Sequence, residues 1–324
     1  MGRQYGAYMV KIVKNTIAVS AMTVPAMSEI EKRLLALRDD RSRGANQLAG
    51  DALALLGAAA LAAPGRDSAE IIAEAHGLAA RLMTLRPSMA AIGNWSLLWW
   101  RELRARPGAA AALTTELGER RQAVAAAVTE SAVQALGQAR SVLTLSYSST
   151  VEAVLVRAPT VERVVIGEGR PRLEGRRLAQ ALHGRIARVE LITDAQLAHF
   201  AARVDHVLLG ADRICADCCA VNKVGSLAAA LGAQAAEVPC LIAADSFKLD
   251  PHHIAATIPL EEMAPEEVWA ERPEGCRNIY FEPVPAHLIA AYATEKGVLN
   301  AARLAPEISR WRHLHAHFQA CAAA

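Results

Sequence analysis

The spacing of apolar residues changes once along this chain, at about residue 140, and this change limits the folds that the sequence can adopt. Between residues 28 and 137, apolar residues recur every three or four positions, which is typical of α-helices with one buried face. After Arg140, apolar residues fall in six short runs, and helical patterns separate most of them. Such an alternation indicates a parallel sheet covered on both faces. The sequence therefore predicts an α/β protein with a helical N-terminal domain and a doubly wound C-terminal domain.

The six apolar runs predict strands of one Rossmann-like sheet: SVLTLSY, VERVVIG, RVELIT, DHVLLGAD, VPCLIAAD and NIYFEPV. Ligands of such sheets bind beyond the carboxyl ends of the strands. We therefore expect functional residues directly after the runs, at 146–149, 168–172, 193–194, 212–213 and 245–246.

Local signals place the boundaries of the domains. Ser28 and Glu31 form a capping box, so we expect folded structure to begin there. Pro-Gly and Arg-Pro breaks at 64–65, 86–87 and 106–108 divide the helical region into some five helices. The prediction is a flexible arm or overlong start at 1–27, a helical domain at 28–138, a Rossmann-like domain at 139–310 and a tail at 311–324. We expect the histidines at 313, 315 and 317 to lie on the surface of that tail.

Composition excludes several classes of partner. The chain has 324 residues, of which 53% are hydrophobic, and its net charge is only +2, so no surface built for nucleic acid or an acidic membrane is expected. The apolar stretch near the N-terminus is interrupted by Ser20, Thr23 and Pro25, and it is shorter than the roughly 18 residues of a membrane span. Six cysteines in a chain of this size do not require disulfides, which predicts a reducing, cytoplasmic location.

The most informative segment for chemistry is LGADRI at 209–214, followed by NKVGS at 222–226. Asp212 ends a buried strand, where partial desolvation can make a carboxylate a general acid or base. We expect Asn222 and Lys223 to begin the next helix and, with its free N–H groups, to bind an anion such as phosphate. The alternative is an ordinary N-cap and a solvated lysine. RGA at 43–45 and RPS at 86–88 are further basic segments at helix starts, although such arginines are usually surface residues.

Three cysteines, Cys215, Cys218 and Cys219, follow Asp212 closely. The CxxC step is found in metal and redox sites, but no second cysteine pair stands at zinc-finger spacing. We expect loop or core thiols here, no metal site and no cofactor. Cys218 is a second candidate for a reactive thiol.

In this order, the segments resemble the superfamily of methylthioribose-1-phosphate isomerase, ribose-1,5-bisphosphate isomerase and the alpha, beta and delta subunits of translation initiation factor two B. The resemblance runs from about Arg43 to Pro306. It rests on RGA (43–45), RPS (86–88), VLTLSYSST (142–150), RPRLEGRRLA (170–179), LITD (191–194), GADRI (210–214), NKVGS (222–226) and TEKGVL (294–299).

The resemblance implies a role for each matching position. The substrate and its phosphate would be held by Arg43, Gly44, Ala45, Arg86, Asn222 and Lys223. Glu174 would approach a sugar hydroxyl, and Asp212 matches the catalytic aspartate. The catalytic cysteine of the isomerases is replaced by Ser146, in a sequence similar to the regulatory subunits.

Two functions remain open on this basis. One is a sugar-phosphate-binding protein of the isomerase type, with Asp212 and Ser146 at the reacting atoms. The other is a noncatalytic regulatory subunit that binds a phosphorylated sugar or nucleotide. In either case the resemblance implies a homodimer that pairs through the Rossmann-like half, and the apolar segment 278–284 favours it.

Overall fold

Five helices form the first part of the described chain, from residue 29 to residue 136, as the sequence predicted. The computed structural model describes residues 28–62 and 65–321, so the predicted arm at 1–27 and Pro64 of the first predicted break lie outside the described residues. Ser28 Oγ accepts a hydrogen bond from the Glu31 N–H (3.2 Å) and caps the first helix. The helices are α1 Glu29–Asp39, α2 Ala45–Leu61, α3 Ser68–Leu85, α4 Ala90–Ala105 and α5 Ala110–Leu136.

A seven-stranded sheet forms the second part. Its strands are β1 Ser141–Leu145, β2 Arg163–Gly167, β3 Arg188–Ile192, β4 His206–Gly210, β7 Cys240–Ala243, β9 Ala291–Thr294 and β10 Gly297–Leu299. They lie in the order β10-β9-β7-β4-β1-β2-β3. Every pair is parallel except β9 with β10, which confirms the doubly wound α/β fold. The helices of this part are α6 Ser149–Arg157, α7 Gly175–Leu182, α8 Leu197–Ala201, α9 Ser226–Ala235 and α10 Ala301–Ala320.

The direction in which the chain crosses the sheet reverses between β1 and β4. From β1 the chain proceeds outward through β2 and β3, and it then returns to place β4 on the other side of β1. A crevice opens at such a switch point because the connections leave the two strands on opposite sides. The loops after β1 and β4 therefore border the crevice.

The sixth predicted strand is not part of this sheet. Residues 281–284 form β8 (Phe281–Val284), which pairs antiparallel with β6 (Ala220–Lys223) in a small sheet completed by β5 (Arg213–Ile214). Pro283 cannot donate a ladder hydrogen bond, so β8 suits the edge position that it occupies. The main sheet instead contains the hairpin β9–β10, which the sequence analysis missed.

The helix α10 extends through the predicted boundary at residue 310. Leu304, Ile308, Trp311, His315 and Phe318 are buried at the three- and four-residue spacing of a helix face. The expectation of a surface tail is therefore wrong for this helix, and in particular for His315. Residues 322–324 of that tail lie outside the described residues.

None of the helices in the described part of the chain is long and apolar enough to span a membrane.

The buried His315 makes the stability of the fold depend on pH. Asn94 Nδ2 donates to the carbonyls of Phe247 and Leu249, so Asn94 Oδ1 is free to accept the His315 Nε2–H (2.7 Å). His315 Nδ1 then accepts from His252 Nε2 (3.1 Å), so the neutral ring is satisfied. Burial and the neighbouring His252 lower the pKa of His315 to about 4.

Because the unfolded chain binds this proton near pH 6.5 and the folded chain only near pH 4, stability is greatest above pH 6.5 and falls as the pH drops toward 4. The full loss amounts to about 3 kcal/mol. We expect His315→Gln to flatten the urea-unfolding free energy between pH 7.5 and pH 5, relative to wild type and to the matched control His313→Gln, whose side chain is exposed. If the unfolding free energy of His315→Gln changed with pH as steeply as that of the wild type, His315 would not be the source of this pH dependence.

Candidate functional site

A pocket with an accessible cavity of about 100 Å³ opens at the switch point, and the helical part closes its other side. Eight of the nine predicted site residues line it: Arg43, Gly44, Arg86, Ser146, Glu174, Asp212, Asn222 and Lys223. Ala45, the ninth, is buried beside Gly44 as the first residue of α2. The remaining lining residues are Arg41, Ser42, Met89, Leu145, Tyr147, Ser148, Arg177, Tyr280 and Phe281.

Asp212 lies two residues beyond β4, at the mouth of the switch point. Its backbone N–H donates to the Val221 carbonyl (2.9 Å), which fixes it at the base of the hairpin β5–β6. Burial raises the pKa of the half-buried carboxyl, and the charges of Lys248, Lys223 and Arg86 oppose this effect. A carboxyl in such a setting is suited to take up or release a proton during a reaction.

Lys223 ends strand β6 and is buried. Its Nζ lies 2.9 Å from Glu174 Oε1 and 4.5 Å from the centre of the Tyr280 ring. The prediction that Asn222 and Lys223 begin a helix is wrong, because both pair in the small sheet and α9 begins three residues later at Ser226. Asn222 still reaches that helix, since its Nδ2 donates to Ser226 Oγ (2.9 Å).

Ser146 follows β1 directly and has a left-handed backbone, with φ of 61°. Its N–H donates to the Gly167 carbonyl (3.0 Å), and its Oγ donates to Glu174 Oε2 (3.4 Å). A Cβ at Gly169 would lie only 2.9 Å from Ser146 Cβ, so the neighbouring loop requires glycine at that position. A left-handed non-glycine residue that faces a pocket is strain of the kind that marks functional sites.

The helical part contributes its cations in two different ways. Arg43 Nε donates to Asp40 Oδ2 (2.7 Å), and the same guanidinium also pairs with Asp51. Arg86 is buried; its NH1 donates to the Asp40 carbonyl (2.6 Å), and its Nε lies 3.6 Å from Glu261. Burial lowers the pKa of Arg86, which nevertheless stays positively charged at neutral pH.

Sequence reasoning missed two cations of the pocket, Arg41 and Arg177. The Arg177 guanidinium lies 3.8 Å from the centre of the Tyr147 ring, and its NH1 donates to the Ser42 carbonyl (3.4 Å) across the two parts of the chain. A sequence signal for Arg177 was present, because it stands one helical turn after Glu174. With five basic and two acidic side chains in its lining, the pocket is positively charged.

The cysteines after Asp212 lie elsewhere. Cys215, Cys218 and Cys219 are buried in the turn between β5 and β6, and none of them lines the pocket. Cys218 Sγ donates to the Ala301 carbonyl (3.5 Å). The structure therefore offers no support for Cys218 as a reactive thiol at this site.

Fold and site together define a class of protein: a helical domain joined to a doubly wound sheet, with a basic pocket at the switch point of that sheet. The chain belongs to the initiation factor 2 subunit family, whose model matches residues 41–301.

Several known proteins are similar to this chain. It is 38% identical over 142 residues to the ribose 1,5-bisphosphate isomerase of Methanocaldococcus jannaschii, covering 42% of this chain and 46% of the relative. It is 39% identical over 150 residues to the methylthioribose-1-phosphate isomerase of Roseiflexus castenholzii, covering 42% of each. The matched part thus spans about half the length of such relatives. The crystal structure of the translation initiation factor eIF-2B of Pyrococcus horikoshii has the same fold, with a TM-score of 0.74 at 24% identity over 86% of this chain and 99% of that one.

Proposed function

We propose that this protein binds a small phosphorylated sugar in the pocket at the switch point, as an aldose-ketose isomerase of the methylthioribose-1-phosphate or ribose-1,5-bisphosphate type. One observation carries the proposal: Asp212, Asn222 and Lys223 meet Ser146 at the switch point, and Arg86 reaches the same pocket from the helical part. Basic side chains outnumber acidic ones in the pocket lining, five to two, and this excess favours a dianionic phosphate. Relatives named as isomerases of two sugar phosphates support this class of ligand.

The residues suit different parts of such a ligand. Lys223 and Asn222 would bind the phosphate together with Arg86 and the N-terminus of α2, where no side chain caps the backbone N–H groups after Gly44. Glu174, already paired with Lys223, would accept a hydrogen bond from a sugar hydroxyl. Arg43 would act less directly, since Asp40 and Asp51 already hold its guanidinium.

Opening the ring of an aldose 1-phosphate and moving the C2 hydrogen requires two groups that exchange protons. Asp212 is suited to be one of them, because burial raises its pKa. Ser146 occupies the other position, but a hydroxyl has too high a pKa and can only relay a proton. We therefore propose that binding is retained and that turnover is limited at Ser146.

A second function is favoured by the same residue. Ser146 and the adjoining Tyr147 and Ser148 match the regulatory subunits, and the chain is 34% identical over 161 residues to a protein of Pyrococcus furiosus named as a putative eIF-2B subunit 2-like factor. In this alternative the protein is a noncatalytic, cytoplasmic regulatory subunit whose pocket senses a phosphorylated sugar or nucleotide.

Phosphorylated ligands are expected to raise the melting temperature through Lys223. A ligand that binds only the native state adds about 2.7 kcal/mol at a hundredfold excess over its Kd. Pentose phosphates, methylthioribose 1-phosphate, hexose phosphates and nucleoside monophosphates form the panel for a thermal-shift measurement. Lys223→Met should remove the shift, whereas the matched control Lys296→Met, which loses a half-buried pair with Glu307 away from the pocket, should retain it. A full shift in Lys223→Met would place the ligand outside this pocket.

Ser146→Cys is expected to create or raise isomerase activity. A thiol with a pKa near 8.5 exchanges protons close to neutrality, and a restored acid or base is typically worth 10² to 10⁴ in rate. A coupled assay for the ketose product measures the gain, and Asp212→Asn in the same background should abolish it. If Ser146→Cys binds ligand but converts none of the substrates in the panel, the regulatory function is favoured. Wild-type turnover at ordinary enzyme rates that Ser146→Ala leaves unchanged would refute the limit at Ser146.

We also propose that the protein is a homodimer that pairs near β8. Val268, Trp269 and Ile279 are exposed apolar side chains in the segment before this edge strand, and exposed apolar surface of this kind favours a protein interface. Sedimentation at micromolar concentration should show a dimer, which Trp269→Ser weakens and the control Leu231→Ser, on the exposed face of α9, does not. Sedimentation of the wild type as a monomer would exclude this assembly.

A further inference from the structure

The turn between β5 and β6 carries three cysteines and an aspartate in five consecutive residues, CADCC at 215–219. The Cys215 N–H donates to the Cys219 carbonyl (2.9 Å), so these two residues face each other where the hairpin ends. Both side chains are fully buried, whereas Asp217 between them is exposed. The turn thus presents two thiols on its inner side and one carboxylate toward solvent.

The three possible ligand atoms lie close together. The Sγ atoms of Cys215 and Cys219 and a carboxylate oxygen of Asp217 are all within 4.8 Å of one another. Zinc binds thiolate sulfur at about 2.3 Å and carboxylate oxygen at about 2.0–2.2 Å, so its ligands stand roughly 3.5–4 Å apart. Small side-chain rotations would therefore bring these three atoms around one ion. Within 28–62 and 65–321, this is the one group of three such side chains at this separation.

The Asp217 carboxylate is held in place by its surroundings. Oδ1 accepts from the Cys219 N–H (3.2 Å), and Oδ2 accepts from the Ala255 N–H (2.9 Å). Each oxygen retains a lone pair, and bonds of this kind orient the ligands of metal sites. Because Asp217 is exposed and the two thiols are buried, the group has one ligand on the solvent side and two on the inner side.

We propose that Cys215, Asp217 and Cys219 form a binding site for Zn²⁺, separate from the phosphate pocket and independent of the proposed function. Binding replaces the two thiol protons by the metal, and the protons pass to solvent. Cys218 is not a ligand, because its left-handed backbone directs Sγ to the Ala301 carbonyl. The ion would link the end of β5, which directly follows Asp212, to the start of β6, which ends at Lys223.

The test uses the full-length protein, reduced with a phosphine, freed of metal by a chelator and titrated with Zn²⁺ in a calorimeter. We expect one ion per chain, proton release and a higher melting temperature. Co²⁺ in place of Zn²⁺ should show sulfur-to-metal charge transfer. Cys215→Ser and Cys219→Ser should each weaken binding at least about a hundredfold, beyond the 10–100-fold typical of outer-shell changes. The adjacent Cys218→Ser and the distant Cys276→Ser are matched controls that should bind like the wild type.

Several results would overturn the proposal: no 1:1 binding by wild type, unchanged affinity in Cys215→Ser and Cys219→Ser, or an equal loss in Cys218→Ser. The melting temperature of each metal-free variant separates loss of the site from loss of the fold. If a buried serine unfolds the turn, Cys215→Ala and Cys219→Ala replace it, because alanine leaves no unpaired hydroxyl. Phosphate-ligand shifts that persist in these variants would show that the two sites are independent.

Discussion

The pocket depends on contacts that hold the two parts of the chain together, and one of them joins α4 to the turn after β7. The Trp95 ring stacks on Phe247 at 3.7 Å with an interplanar angle of 6°, and the adjoining Asn94 donates to the carbonyls of Phe247 and Leu249 (2.7 and 2.8 Å). Both residues of α4 are buried, so the stacked rings contribute apolar burial while the amide satisfies carbonyls that water cannot reach. Arg86, which lies between α3 and α4, lines the pocket from this helical part.

Two of the cations in the pocket lining, Lys223 and Arg86, are buried, and they are paired unequally. Lys223 is neutralised by Glu174, whereas Arg86 has only the longer 3.6 Å approach of Glu261, and its Nε makes no hydrogen bond within the described structure. Buried charges are unfavourable unless they are paired and hydrogen-bonded. A bound phosphate would accept the hydrogen bond that Arg86 Nε lacks and would balance the charge of Arg86. The pairing of these cations is therefore consistent with the proposed phosphate ligand.

The chemistry of the site is divided between two sheets. Ser146 directly follows β1 of the parallel sheet, but Lys223 lies on the small antiparallel sheet and Asp212 immediately precedes its first strand. The relative placement of acid and cation therefore depends on the hairpin β5–β6, whose turn holds the cysteines. A metal ion bound at this turn would lie outside the pocket, since neither its cysteines nor Asp217 line it.

The sequence by itself determined the helical first part, the capped start at Ser28 and five strands of the main sheet. It also determined that the candidate site residues that follow these strands lie at the carboxyl edge of that sheet. These follow from local periodicity, and parallel strands necessarily bring their carboxyl ends together. Only the tertiary structure decided that residues 281–284 pair in the small sheet, that His315 is buried and that Arg41 and Arg177 reach the pocket.

A short apolar run has no periodicity that selects its partner strand. The burial of a histidine and the direction of an arginine side chain depend on elements far away in sequence. For the same reason, the sequence indicated only loop or core thiols at 215–219. The structure showed that the Asp217 carboxylate lies within 4.8 Å of the Cys215 and Cys219 sulfur atoms.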